Sequence, residues 1–260
     1  DHKATKWLDL GLKATVGYSK TNFADPEAGA GRQNWGNPWF TTLLAYPYES
    51  PDDWYNVDNP TLITKYYDRE TGRLKTVASV YAKASITDWL SVKTNFGLDF
   101  MYNRNVSTLH RDHPNAQQNH GYYGQTSSEL FRYTWTNTIN VNKDFANGHS
   151  LNAVAGMEMF QGKWYTSNFT GYDLNSDMMQ SPAGIGDKSG SSLFPPSIGG
   201  GRTMSNLMSF FAQASYSIAN KYNFSASLRH DTSSKFYEDN ASATFWSRSE
   251  ERRVGKECRS

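Results

Sequence analysis

Apolar and polar residues alternate along seven stretches of this chain, and the clearest of them is the first. From Leu8 to Tyr18 every even position is apolar or aromatic, and every odd position between them is small or polar. A period of two residues is that of a β-strand whose two faces meet different environments. We therefore predict a strand over about 7–20 with one apolar and one polar face.

Six further stretches repeat this alternation, and the gaps between the stretches differ in length. Tight turns follow the second, fourth and sixth predicted strands, whereas long connections follow the first, third and fifth. The six strands cover about 74–86, 90–102, 131–141, 151–157, 208–218 and 222–228, and the long connections cover about 21–73, 104–122 and 161–204.

This rhythm of tight turns and long loops is typical of outer-membrane barrels, with the long loops outside the cell. Strands of this length also exceed the ~10 residues that cross a membrane at a tilt, so we expect the wall to project above the lipid. The fold class is therefore all-β, an antiparallel up-and-down transmembrane β-barrel fragment. Closed bacterial barrels have even strand numbers, so about seven long strands indicate an open, curved sheet.

Composition agrees with a barrel once its strands are considered one face at a time. The chain has 260 residues, 37% of them hydrophobic, and a mean hydropathy of −0.71. A barrel strand meets lipid only at every second residue, so low hydropathy does not exclude a membrane protein. The net charge of +1 gives no electrostatic reason to expect a nucleic-acid partner.

The last thirteen residues, 248–260, break the alternation and change the composition abruptly. They match the in-frame translation of a common sequencing-library adapter, so we interpret them as a non-native tail. We expect residues 1–247 to be the partial barrel. The only cysteine, Cys258, belongs to this tail, so no cysteine chemistry is expected.

Candidate catalytic groups are few. His110 and His113 lie close to Asp112 in a polar loop and resemble a metal-ligand cluster, but solvated side chains are the better interpretation. Neither a nucleophile motif nor a phosphate- or dinucleotide-binding pattern is present. We therefore predict no enzyme activity, no catalytic residue, no metal and no cofactor.

Aromatic residues of the long loops are the better candidates for ligand contacts, because their rings can stack on sugars. The alternatives are packing within the loop or an aromatic girdle at the membrane surface, which we favour for Trp164 and Tyr165 at the start of the third long connection. The ligand-binding candidates are Trp35, Trp39, Tyr46, Trp54 and Tyr55.

Charged residues on the polar faces of the strands are a second set of candidates. They could line a water-filled lumen, although ordinary solvation of a polar wall explains them equally well. The lumen-facing candidates are Lys13, Lys93, Asp99 and Arg229.

One segment near the end carries a more specific signal. Tyr222–Asp231, Ser233–Phe236 and Phe245–Ser247 resemble the SusC/RagA family of TonB-linked outer-membrane transporters, which commonly have Y-x-L-x-A-S-x-R-x-D-x-S-S-x-F followed by F-P-S. Trp246 stands where the family has proline. Weaker matches, such as Asn59-Pro60 and Trp135-Thr-Asn137, extend the resemblance over roughly 5–247.

This resemblance implies a function and partners. The family imports oligosaccharide or peptide nutrients across the outer membrane of Gram-negative bacteria. A SusD-like surface lipoprotein caps the barrel, and the TonB system acts through an N-terminal part that we do not find in this chain. The wall itself contacts outer-membrane lipid.

Two alternatives remain open from the sequence. One is another TonB-dependent receptor, for example one that takes up iron chelates. The other is a secreted carbohydrate-binding β-sandwich, which predicts strands nearer ~5–6 residues and short loops at both ends.

Overall fold

A computed structural model describes residues 1–22, 65–113, 116, 119–175, 181–186, 195–219, 221–236 and 241–252. All nine strands among them form one antiparallel sheet in which the spatial order equals the chain order. The strands are β1 (His2–Lys3), β2 (Leu8–Asn22), β3 (Tyr67–Ser85), β4 (Leu90–Leu109), β5 (Tyr122–Phe145), β6 (His149–Tyr172), β7 (Ser197–Ile218), β8 (Tyr222–Ser233) and β9 (Ser242–Arg252).

The seven predicted strands correspond to β2–β8, and their tight turns lie where the sequence predicts them. Two strands were not predicted: the two-residue β1, and β9, in which adjacent Phe245 and Trp246 obscure the alternation. The observed number of strands is thus nine rather than about seven. One sheet with strands of up to 24 residues also excludes the sandwich alternative within the part of the chain described.

The register assigns every strand residue to one of two faces, because directly opposed residues of antiparallel strands share a face. One continuous row of opposed residues, on the apolar face, is Leu12–Val80–Phe96–Trp135–Met159–Met208–Thr232. The adjacent row, on the polar face, is Lys13–Ser79–Gly97–Thr134–Phe160–Leu207–Ser233.

Exposure of the two faces is the reverse of that in a water-soluble sheet. Along β8 the apolar positions, such as Phe224 and Leu228, are exposed, and the polar positions between them are half-buried. Leu12 is 74% exposed and Val16 is 68% exposed. We infer from this alternation that the apolar face is the convex one and that the polar face lines the concave side.

The apolar face forms a band that is about one membrane thick. Leu8–Tyr18 on β2 is opposed by Leu74–Ala84 on β3, and eleven residues at a tilt of ~45° span about 25 Å. Within the described residues, no helix is long and apolar enough to cross a membrane.

The strands continue above this band, so each of the three long connections is shorter than the sequence predicts. Trp164 and Tyr165 lie within β6 instead of beginning a loop, and Gly199–Gly201 belong to β7. The polar upper halves of β5, β6 and β7 therefore extend beyond the apolar band, as expected for a tall wall.

The segment that we interpret as a non-native tail, 248–260, begins inside β9, which continues past Ser247 to Arg252. Arg248 lies opposite Ala226, and Glu250 lies opposite Phe224, so both charged residues lie on the apolar face. Among the described residues, no other strand has charges at alternate positions of this band. Their placement is what a sequence foreign to the wall would produce.

Candidate functional site: the polar face of the sheet

The four charged residues that the sequence predicts as lumen-facing all lie on the polar face. Lys13 belongs to the polar row described above, and Lys93 and Asp99 flank Gly97 of that row at even spacings on β4. Arg229 lies four residues before Ser233 on β8. The register thus places all four on one surface, although they belong to strands at both ends of the sheet.

Arg229 is the centre of a polar network that joins three strands. Its Nε donates to both carboxylate oxygens of Asp231, at 2.8 and 3.0 Å, and its Nη2 donates to Ser209 Oγ at 3.0 Å. Nη2 also lies 3.7 Å from Glu158 Oε1. Thr136 Oγ1 donates to the other oxygen of Glu158 at 3.2 Å and extends the network to β5.

A second pair of charges lies directly opposed on β4 and β5. Arg132 Nη1 is 4.0 Å from Asp99 Oδ2, a distance at which the pair is weak. Asp99 Oδ1 is buried and has no hydrogen-bond partner among the described residues. Arg132 therefore leaves one carboxylate oxygen of Asp99 on the polar face without a hydrogen bond.

A glycine, an aromatic ring and a cation occur together twice on this face. The Phe211 ring covers Gly156, and the Arg229 guanidinium lies 6.0 Å from the ring centroid. The Tyr81 ring covers Gly11 in the same manner, and Lys93 Nζ lies 4.8 Å from its centroid. A ring over a strand glycine replaces the missing side-chain contacts, and its face attracts the cation.

The sequence did not indicate Glu158, Ser209 or Thr136 as members of a site. A hydroxyl or a carboxylate at a polar strand position gives no distinguishing signal. The only available clue was Arg229 within the resemblance motif, and its partners depend on the cross-strand register.

The loop that resembles a metal cluster is a small folded cap at the upper end of the wall. His113 is fully buried together with Ala116, Tyr123 and Leu174, so the expectation of solvated side chains is wrong for this residue. His110 Nε2 lies 2.9 Å from Asp68 Oδ2. Among the described residues, no group of three or more His, Cys, Asp or Glu could hold a metal ion.

Hydrogen bonds tie the cap to the next connection along the sheet. Leu174 N donates to His120 O at 3.0 Å, and His120 Nδ1 lies 2.8 Å from Asp173 Oδ1. His120 and Asp173 both have positive φ, at 52° and 58°, a region of the backbone in which Asp and His are enriched among non-glycine residues. Burial lowers the pKa of His113, because a charged imidazole would lose its hydration there.

The aromatic ligand candidates of the first long connection, Trp35, Trp39, Tyr46, Trp54 and Tyr55, lie outside the described residues. Trp164 and Tyr165 point to opposite faces of β6, because they are adjacent on a strand. Trp164 Nε1 donates to Thr166 Oγ1 at 2.6 Å on the polar face. These two residues do not form one stacking surface.

No family model matches this chain, and no curated protein matches it significantly. Several solved structures do match this chain. A structure of the RagAB peptide transporter superposes with a TM-score of 0.72 at 18% identity, over 94% of this chain and 28% of the other. The RagAB peptide importer in its closed-closed state gives a TM-score of 0.73 with the same identity and coverage.

A ferric preacinetobactin receptor, BauA from Acinetobacter baumannii, superposes with a TM-score of 0.49 at 11% identity, over 94% of this chain and 35% of the receptor. This chain spans only 28% of the length of the RagAB transporter chain that it matches. At this level of identity the RagAB likeness establishes the fold. The predicted class, an antiparallel up-and-down β-barrel fragment that forms an open sheet, is confirmed.

Proposed function

We propose that this chain is part of the wall of a TonB-dependent outer-membrane transporter of the SusC/RagA type, and that the whole transporter imports oligosaccharide or peptide nutrients. The observation that carries the proposal is the reversed exposure of the sheet. Large apolar residues such as Leu12 and Leu228 are exposed on one continuous face. In water a band of this size would drive aggregation, whereas in lipid it is the stable arrangement.

The RagAB likeness supports the transport part of the proposal. The superposed structures are described as a peptide transporter and a peptide importer, and they share the fold over nearly the whole chain. The resemblance of Tyr222–Phe236 to the family motif supports the same assignment from independent residues. On this proposal Lys13, Lys93, Asp99 and Arg229 face the lumen.

The partners follow from the same assignment. A SusD-like surface lipoprotein would cap the extracellular end, where the cap around His113 lies. The TonB system would act through a part of the transporter outside this chain. Outer-membrane lipid would cover the apolar band, including a groove of ≈ 590 Å³ whose floor is formed by alanines on β6–β8, namely Ala153, Ala155, Ala212, Ala214 and Ala226.

Membrane fractionation of cells that express the complete transporter tests the proposal. We expect the protein in the outer-membrane fraction, extracted by detergent and not by carbonate or high salt. Recovery as a folded monomer from the aqueous fraction would overturn it. Growth on oligosaccharide or peptide mixtures, compared between the intact strain and a deletion strain, then tests nutrient import separately from location.

A further inference from the structure

Strand β3 sorts the charges of its upper half onto two faces. Acidic and basic residues follow each other closely from Asp68 to Lys75, so the segment appears balanced in sequence. The strand period directs Asp68 and Glu70 to the convex face, where Glu70 Oε2 lies 2.8 Å from Lys20 Nζ. All charged residues that this segment places on the polar face are cations. We call them the β3 cation row: Arg69, Arg73 and Lys75.

The neighbours of this row on the adjacent strands are mainly small and neutral. Arg73 Nε donates to Asn103 Oδ1 at 2.9 Å, which orients the guanidinium and leaves its charge in place. The residues directly opposite the row are Ser19 and Gly17 on β2, and Ser107, Asn103 and Met101 on β4.

The ion pairs of Asp99 and Arg229 lie farther along the polar face. Asp99, the acidic residue that the register brings diagonally next to Lys75, faces Arg132. The pairs around Arg229 lie on β6–β8. No carboxylate of the described residues lies within 4.0 Å of Arg73 or Lys75, so their positive charge projects into the concave side at the upper edge of the apolar band.

A row of tyrosines borders Arg69, the uppermost member of the cation row, at the upper rim of the wall. Tyr67 precedes Arg69 on the same face of β3, and Tyr122 makes side-chain hydrogen bonds with Tyr67 and Ser107. The Tyr172 ring meets Tyr122 edge-on, with centroids 6.4 Å apart. Tyrosines offer apolar contact area together with a polar hydroxyl, which suits the faces and edges of sugar rings.

We propose that the β3 cation row, with the bordering tyrosines, binds the carboxylate or sulfate groups of an acidic oligosaccharide as it enters the barrel. This inference rests on the proposed transport function and specifies its substrate class. Alternate residues of a strand lie ~6.8 Å apart, so Arg73 and Lys75 present two cationic contacts in register to a chain with repeated anionic groups.

The placement of the row favours an oligosaccharide over an acidic peptide. An extended peptide gains affinity by pairing its backbone with a free sheet edge, but β3 is paired along its length on both sides. Recognition here must come from side chains. The hydroxyl and amide groups of Ser19, Ser107 and Asn103 both donate and accept hydrogen bonds, as the hydroxyl groups of a sugar do.

Isothermal titration of the complete detergent-purified transporter tests the inference with three probes. These are an oligogalacturonate, its methyl ester, which keeps the sugar chain and loses the charge, and an oligoglutamate of equal length. We expect the oligogalacturonate to bind most tightly, with an affinity that falls as ionic strength rises. The double variant Arg73→Gln and Lys75→Gln should weaken it at least about tenfold, because two charge-assisted contacts are lost.

A double variant on the convex face, Lys163→Gln and Arg202→Gln, removes the same charge and should leave binding unchanged. Equal binding of the methyl ester, equal loss in the control variant, or tighter binding of oligoglutamate would each overturn the inference. A transporter that fractionates with the outer membrane but binds no acidic chain would contradict this inference alone. A protein absent from that membrane would contradict the proposed function itself.

Discussion

Gly156 shows how closely the register constrains single residues on the polar face. A Cβ at this position would lie 2.5 Å from the backbone oxygen of Asn137 and 2.8 Å from Phe211 Cζ. The ring can move, but the carbonyl belongs to a paired strand and cannot. We predict that Gly156→Ala lowers the free energy of unfolding by about 1–3 kcal/mol, measured by urea unfolding of the complete transporter in micelles.

Gly17 provides the matched control for this prediction. It also lies on the polar face, and an added Cβ there has nothing within 4 Å. Gly17→Ala should be neutral or stabilising by up to about 1 kcal/mol, because alanine restricts the unfolded chain. A loss of stability in Gly17→Ala as large as that in Gly156→Ala would show that steric crowding is not the cause.

The charge of Arg229 offsets two carboxylates that otherwise lie close together. Its side chain is 40% exposed, so solvent screens part of each interaction. We predict that Arg229→Gln costs about 1 kcal/mol of unfolding free energy and that the loss shrinks in high salt. Lys13→Gln removes a cation from the same face that has no ion-pair partner among the described residues, and it should change stability far less.

The strands show what the sequence can and cannot predict at the scale of an element. Inside the lipid band the two faces differ sharply in polarity, so Leu8–Tyr18 and the six later stretches are predictable. Above the band both faces are polar, and the period-two signal disappears although the hydrogen-bonded ladder continues. This is why the predicted strand begins only at Phe131 although β5 begins at Tyr122, and why Gln161–Tyr172 were assigned to a loop. It is also why the register-dependent site around Arg229 could not be assembled in advance.

The cap above β4–β6 should respond to pH through His113. Burial lowers the pKa of His113 below its ordinary 6.5, so the unfolded cap takes up a proton more readily than the folded one. The contribution of this residue to stability is therefore complete above pH 6.5 and declines as the pH falls below it. We predict that amide protection factors across 108–113 and 119–123 decrease from neutral to mildly acidic pH. His113→Gln should have lower protection that changes less with pH, because His110–Asp68 and His120–Asp173 remain in the cap, and an unchanged pH response would contradict the assignment.

The end of β9 gives a test of the interpreted tail. Arg248 lies on the apolar face opposite Ala226, where lipid would surround it if the strand were part of the wall. A lipid-facing arginine costs up to about 2–4 kcal/mol at the membrane centre and less toward the interfaces. We predict that Arg248→Leu, introduced into this chain when it is assembled with the remaining strands of its transporter, raises the free energy of unfolding in micelles, whereas Ser249→Leu on the polar face does not. Equal effects of the two changes would argue that this strand end does not meet lipid.

At the scale of the whole molecule, the balance of polar and apolar surface determines where the chain can be stable. Within the described residues, the buried apolar side chains amount to a small group, most of it in the cap: Leu109, Ala116, Tyr123, Leu130 and Leu174. A sheet of this size with so small a core cannot offset its conformational entropy in water. Its apolar residues instead form one exposed face that suits contact with lipid. The alternation of apolar and polar residues predicted this property of the whole molecule.

The open sheet leaves two edges whose backbone groups need partners. On one side β1 covers only Leu10 and Asp9 of β2, and on the other side β9 has no further strand among the described residues. Each unpaired backbone group in lipid costs several kcal/mol, so the described sheet requires additional strands to close.

We predict that the isolated chain aggregates when it is expressed alone. Co-expression with the remaining strands of its transporter should yield a folded barrel, detected as a band that is protease-resistant and changes mobility on heating in SDS gels. Omitting the two strands that adjoin this segment from the co-expressed partner should abolish that band, and a folded, protease-resistant monomer of the chain alone would contradict the requirement for closure.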